Sequence, residues 1–174
     1  MRGIAKTFHN RKRYGDRNGE AWWHWKKLQQ DAANRLCYAE SQGIPVQDRI
    51  YGTEQDALRP SFIQPINCRT VLIEGNSIKN VLQWTIHPVY CENVIIRNVN
   101  VISCGSNTDG LNPDSCKNVL VEVSYFETGD DCIAINSGMN EDGWRVNKPC
   151  ENNRTWQLGH WKRHVWRSQK RIRS

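Results

Sequence analysis

Cys91-Glu92-Asn93-Val94-Ile95-Ile96 has two close copies in the chain, Asn67-Cys68-Arg69-Thr70-Val71-Leu72-Ile73 before it and Cys116-Lys117-Asn118-Val119-Leu120-Val121 after it. The three cysteines stand 23 and then 25 residues apart, and each opens a polar pair followed by a β-branched run. A second register runs through the same residues. Trp84 to Cys91 (WTIHPVYC) aligns with Asp109 to Cys116 (DGLNPDSC), which sets Ile86 over Leu111 and Pro88 over Pro113. Asp131 to Gly138 (DCIAINSG) continues the series, with Ile133 beneath Leu111. Each repeat therefore carries at least two short strands separated by turn residues.

Strand-rich repeats of this length, without helical periodicity between them, predict an all-β chain built as a parallel β-solenoid in which each turn stacks on the last. A β-sandwich also has many short strands, but it gives no reason for one tetrad to recur at this period. In a solenoid, aligned residues lie about 4.8 Å apart. Cys68, Cys91 and Cys116 then form a ladder of small core residues. Before the repeats, Glu20 to Tyr38 reads as helical or irregular, and Ala39 to Arg59, with Gly43, Pro45 and Gly52, reads as a loop excursion.

The same alignment puts Asp109 and Asp131 at equivalent positions of consecutive turns, with Asp130 beside them. Stacked carboxylates so close cannot ionise independently and should titrate as a coupled set. Paired acids are the equipment of glycoside hydrolysis, where one protonates the leaving oxygen and another activates water or attacks carbon. A solvated turn is the structural alternative, and a calcium site using Asn107 and Asn136 carbonyls is the rival chemistry. His87 could contact a sugar, although its aligned residue, Asn112, favours a polar turn role. Trp84 and Trp144 could stack on sugar rings, and Lys117, Arg145 and Lys148 could pair with carboxylates.

Asn107-Thr108-Asp109-Gly110 followed by Gly129-Asp130-Asp131-Cys132, with Asn112 to Val119 between them, resembles the polygalacturonases of glycoside hydrolase family 28. The resemblance extends from about Gly19 to Asn152 through GEAWW, RPSFIQ and SGMNEDGWRV. It implies a right-handed parallel β-helix that hydrolyses α-1,4-galacturonosyl linkages of pectin with inversion and needs no cofactor. Carried over, Asp130 is the general acid, Asp109 and Asp131 activate the water, and Asn107 shapes the site. Asn107 and His87 are then the candidate substrate-binding residues. A calcium-dependent pectate lyase-like β-helix and a non-catalytic fragment are the alternatives.

The family's later Gly-His-Gly turn and Arg-x-Lys motif do not occur; Gly159-His160-Trp161 and His164 are the nearest strings. Little or no hydrolysis is therefore expected, and the absence of later turns to cap the solenoid, which leaves an open apolar end, predicts poor solubility. Residues 1–18 carry a net charge of +5 and residues 154–174 one of +7, around a middle of −6. These borders mark non-matching basic segments on either side of a partial glycosidase domain, 19–153. Both ends are expected to be frame-shifted or mispredicted coding sequence, with the pattern lost after Cys150-Glu151-Asn152.

A basic tail can also serve as a polyanion or nucleic-acid arm, but a solvated tail is the preferred reading. Seven cysteines, none in a CxxC pair, argue against both a complete disulfide set and zinc. No apolar run approaches the roughly 18 residues of a membrane span, and no signal peptide opens the chain. The expected partner is polygalacturonate, bound by a soluble monomer, with the intact enzyme secreted or periplasmic.

Overall fold

The computed structural model describes residues 7–9 and 14–156. Among the described residues there are nine strands: β1 (Thr7–His9), β2 (Tyr14–Asp16), β3 (Arg69–Glu74), β4 (Ser77–Lys79), β5 (Glu92–Arg97), β6 (Asn100–Ile102), β7 (Lys117–Glu122), β8 (Tyr125–Glu127) and β9 (Glu151–Trp156). All pairings are parallel. They form a five-stranded sheet in the order β1-β3-β5-β7-β9 and a four-stranded sheet in the order β2-β4-β6-β8. A third row consists of isolated parallel bridges, Ile63↔Ile86↔Leu111↔Ile133 and Ile66↔Val89↔Asp114↔Asn136. The predicted stacking is thus present residue for residue, with Ile86 over Leu111 over Ile133.

Between the sheets, like stacks on like. Val71, Val94 and Val119 occupy one column and Ile73, Ile96 and Val121 the next, each at most 4 % exposed. Burying such a side chain stabilises the fold by about 1.5–3 kcal/mol. The repeated polar pair has a backbone cause. Asn93, Asn118 and Asn152 take the left-handed conformation (φ 57°, 58° and 53°), which asparagine tolerates better than most residues. Their side chains bond along the stack, Asn118 donating to Asn93 at 2.8 Å and Asn152 to Asn118 at 2.7 Å. On the exposed ends of the same strands, charges alternate in register, with Arg69 beside Glu92 (3.3 Å) and Lys117 beside Glu151 (3.5 Å).

The cysteine ladder is present as free thiols. Cys91, Cys116 and Cys150 donate to the carbonyls of Pro65, Pro88 and Pro113, each one repeat back, at 3.3, 3.2 and 3.8 Å. The period thus repeats in its hydrogen bonds as well as in its sequence.

Three expectations change. The chain is not all-β: α1 (Glu20–Trp23), α2 (Trp25–Leu28) and α3 (Gln30–Ser41) precede the main stack, and α4 (Asn140–Val146) interrupts it before β9. These segments lie outside the repeat, so no strand ladder recruits them, and local helical bonds satisfy their backbones. Trp23 fastens this arm to the stack by donating its indole N–H to the Val81 carbonyl at 2.9 Å. Arg49 pairs with Asp142, joining the excursion after α3 to α4.

The strand pattern also outlasts Asn153. β9 pairs with β7 through Trp156, although Asn153 and Thr155 replace the valine of each core column. Ladder hydrogen bonds come from the backbone and do not require apolar side chains. Likewise β1 and β2 fall within residues 1–18 and pair in parallel with β3 and β4. Gly159-His160-Trp161, His164 and most of the basic tail lie outside the described residues, as do residues 1–6 and 10–13. Among the described residues no helix is long and apolar enough to cross a membrane.

Candidate active site

Each carboxylate is placed by the stack. Gly110 donates its amide to the Asp131 carbonyl at 3.0 Å, and Leu111 bridges to Ile133, so Asp109 and Asp131 occupy one column, about 4.8 Å apart along it. Trp84 stands one step earlier in that column, since Thr85 donates to the Asp109 carbonyl at 2.9 Å. Glycines permit the close approach. A Cβ on Gly110 would sit 2.6 Å from the Cys132 carbonyl oxygen, and one on Gly129 would sit 2.2 Å from that of Gly105. The turn carrying Asp130 is fixed further by Thr128, whose hydroxyl donates to the Asp130 carbonyl at 2.8 Å.

Asp109 is 5 % exposed, while Asp130 and Asp131 are half-buried. One Asp109 oxygen accepts from the Asn112 amide at 2.7 Å; the other is buried and has no partner. Burial pushes the Asp109 carboxyl up to about 6. The Asn112 hydrogen bond opposes that rise, and the charges of Asp130 and Asp131 add to it. The charges of Asp130 and Asp131 thus reach the buried Asp109 carboxyl.

Asn107 accompanies Asp130, donating to it at 3.2 Å, while its carbonyl oxygen accepts from Arg59 at 3.0 Å. Arginine can only donate, so its contact fixes the amide with oxygen toward Arg59 and NH2 toward Asp130. Arg59 is itself buried: it also donates to the carbonyls of Leu82 (3.2 Å) and Ser106 (3.0 Å) and to Gln29 (3.2 Å).

His87 sits in the neighbouring column, above Asn112. Its Nδ1 lies 2.9 Å from the Gln64 amide nitrogen and 3.2 Å from the Ser61 hydroxyl. The amide must donate, so Nδ1 accepts and Nε2 carries the hydrogen. That Nε2–H is buried without a partner. Burial also pushes the His87 pKa down, against a weaker opposing effect of Asp114, which favours the neutral ring.

Of the residues singled out from sequence, Asp109, Asp130, Asp131 and Asn107 come together, with His87 one column away. The others do not join them. Asn136 belongs to the Asp114 row; Trp144 is exposed on α4; Arg145 pairs with Asp142, Lys117 with Glu151, and Lys148 lies over Tyr90 at 5.0 Å. Among the described residues no group of three or more His, Cys, Asp or Glu side chains is gathered as a metal site. The sequence did not single out Arg59 or Gln64, and it gave Asn112 only as the residue aligned with His87. Extending the repeat one turn back, Ile63 over Ile86, would have found the Gln64–His87–Asn112 column, but nothing in the sequence pairs Arg59 with Asn107.

Neighbouring carboxylates are a pattern that glycosidases use as acid and base. The model of Glycosyl hydrolases family 28 matches residues 40–152, and the chain belongs to that family. A probable polygalacturonase of Vitis vinifera is 34 % identical over 112 residues, covering 63 % of this chain and 23 % of the relative. The exopolygalacturonase of Thermotoga maritima, described as hyperthermoactive, superposes with a TM-score of 0.76 at 42 % identity, over 80 % of this chain and 34 % of that one. A family 28 exopolygalacturonase of Yersinia enterocolitica shares the fold, with a TM-score of 0.56 at 23 % identity over 65 % of this chain and 20 % of its own. The chain thus spans about a third or less of the length of each of these relatives.

Proposed function

We propose that this chain carries the acid–base centre of a polygalacturonase on a right-handed parallel β-helix, acting on α-1,4-galacturonosyl linkages of pectin with inversion. The observation that carries the reading is the stacking of Asp109 on Asp131 beside an Asp130 fixed by Asn107. Asp130 gives its proton to the glycosidic oxygen as the C1–O bond breaks. Water adds to C1 from the other face, and the proton it releases passes to the Asp109–Asp131 pair. Burial keeps a proton on Asp109 itself up to about pH 6. Asn107 and His87 are the substrate-binding groups, the latter through its unpartnered Nε2–H.

The sequence contains no Gly-His-Gly or Arg-x-Lys string to hold the sugar carboxylate. A low rate is therefore expected. The test is release of reducing ends from polygalacturonate by the full chain and by Asp130→Asn. Slow release by the former, lowered at least about a hundredfold in the latter, supports the assignment. Equal traces from both would leave a non-catalytic stack, and a calcium-dependent product absorbing in the ultraviolet would move the chemistry to elimination.

A further inference from the structure

Asn112 lies in the third row of the stack, 0 % exposed, between His87 on the turn before and Ala134 on the turn after. Its amide N–H donates to the Ile86 carbonyl at 2.8 Å, and the Asp109 carbonyl accepts from Thr85 at 2.9 Å. The backbone ladder therefore fixes both residues. Between them the Asn112 side chain donates to one Asp109 oxygen at 2.7 Å, the single hydrogen bond that this side chain makes among the described residues.

The Asn112 carbonyl oxygen is buried with no partner. An unmatched buried acceptor costs stability, and a leucine of similar volume would avoid that cost. Ala134 shows that the same column accepts an apolar side chain one turn on. Packing alone thus gives no reason for an amide here. The bond to Asp109 gives one, because a donor favours the ionised carboxyl and opposes the effect of burial. Asn107 differs in what turns its amide. There Arg59 fixes the oxygen, whereas the Asn112 amide has no second contact and is turned by Asp109 itself: toward a carboxylate only the NH2 can point.

We infer that Asn112 is a positioning residue for Asp109: it holds that carboxylate in one orientation and favours its ionised form, leaving it able to take the proton that water gives up. The inference rests on the polygalacturonase reading for the source of that proton. Asp130 and Asp131 act in the opposite sense, since their negative charges favour a protonated Asp109. His87, on the turn before, is held neutral by burial, and the Arg59 charge stands behind Asn107 and Asp130. Of the influences that keep Asp109 charged, the Asn112 bond is the largest.

The test is Asn112→Leu in the full chain, with isotope-labelled aspartate carboxyls titrated by NMR and the Asp109 signal assigned by its loss in Asp109→Asn. The Asp109 midpoint, near 6 in the parent, should rise by about one to two pH units. Melting temperatures read the same change. The folded variant keeps a proton that the unfolded chain has released over a longer span of pH, so between pH 4 and 7 it should lose more melting temperature than the parent. An unmoved midpoint, or a difference in melting between the two proteins that is equal at pH 4 and pH 7, would assign Asn112 to packing and overturn the inference. Where the parent releases reducing ends, the acid limb of its pH–kcat profile should move up with the midpoint, and an unmoved limb would also overturn it. Failure of the parent to release reducing ends would strike the polygalacturonase reading instead, and the titration would still decide the role of Asn112.

Discussion

The inside and the outside of the stack use the same period in opposite ways. Inside, Ile86, Leu111 and Ile133 follow one another, as do Val71, Val94 and Val119, and each step changes the residue as little as packing allows. Outside, the column that begins at Trp84 becomes Asp109 and then Asp131, while its neighbour runs from Gln64 through His87 and Asn112 to Ala134. The core needs identity because a cavity or an excess methyl group is felt at once in a packed interior. The outer columns are free to change at every turn because the backbone ladder holds them in register whatever they carry. A stack of this kind separates the residues that hold the register from those that do the chemistry.

Three substitutions can break or sharpen that contrast. The largest effect should come from Ile96→Ala, inside: removing a fully buried side chain with its neighbours held by the ladder should cost about 2–5 kcal/mol. Urea denaturation followed by circular dichroism measures it, and a cost as small as that of a surface site would show that the core column does not govern stability.

Asp109→Asn, outside, should act in the opposite direction. The folded carboxyl titrates near 6 against an ordinary 3.8, so between roughly pH 4 and 6 the folded protein keeps a proton that the unfolded chain has released. Stability therefore falls as the pH rises through that window, and above it the buried charge costs on the order of 3 kcal/mol. The asparagine variant, which can still accept from Asn112, should be more stable than the parent at pH 7 by about 1–3 kcal/mol and lose most of the dependence between pH 4 and 6. Melting temperatures across that range decide the matter.

Asn118→Ala should give the smallest effect, a loss of about 1 kcal/mol from a left-handed residue that also bonds Asn93 and Asn152. Asn118→Gly should recover the backbone part of it. Equal losses in the two variants would assign the whole effect to the side-chain ladder.

The repeat made much of this legible in advance. The Leu111–Ile133 register was countable from the sequence, and with it the meeting of Asp109 and Asp131; so was the cysteine ladder. Polar composition misled at β9, since Asn153 and Thr155 look unlike Val119 and Val121 yet pair with them through the backbone. Sequence also assigned His87 by analogy with Asn112, without its Gln64 contact or its buried Nε2–H.

What the sequence by itself determined is the periodic part: which residues stack, at what spacing, and that three carboxylates converge. The period is one-dimensional, and parallel pairing turns it into distance directly. Tertiary structure alone decided how the non-repeating segments return to the stack. It brought Arg59 to Asn107, Trp23 to Val81, and Trp22 and Trp25 to a groove beside Trp84. Those meetings depend on the path of a helical arm and a loop, and they join residues 48 to 62 positions apart with no repeat to index them.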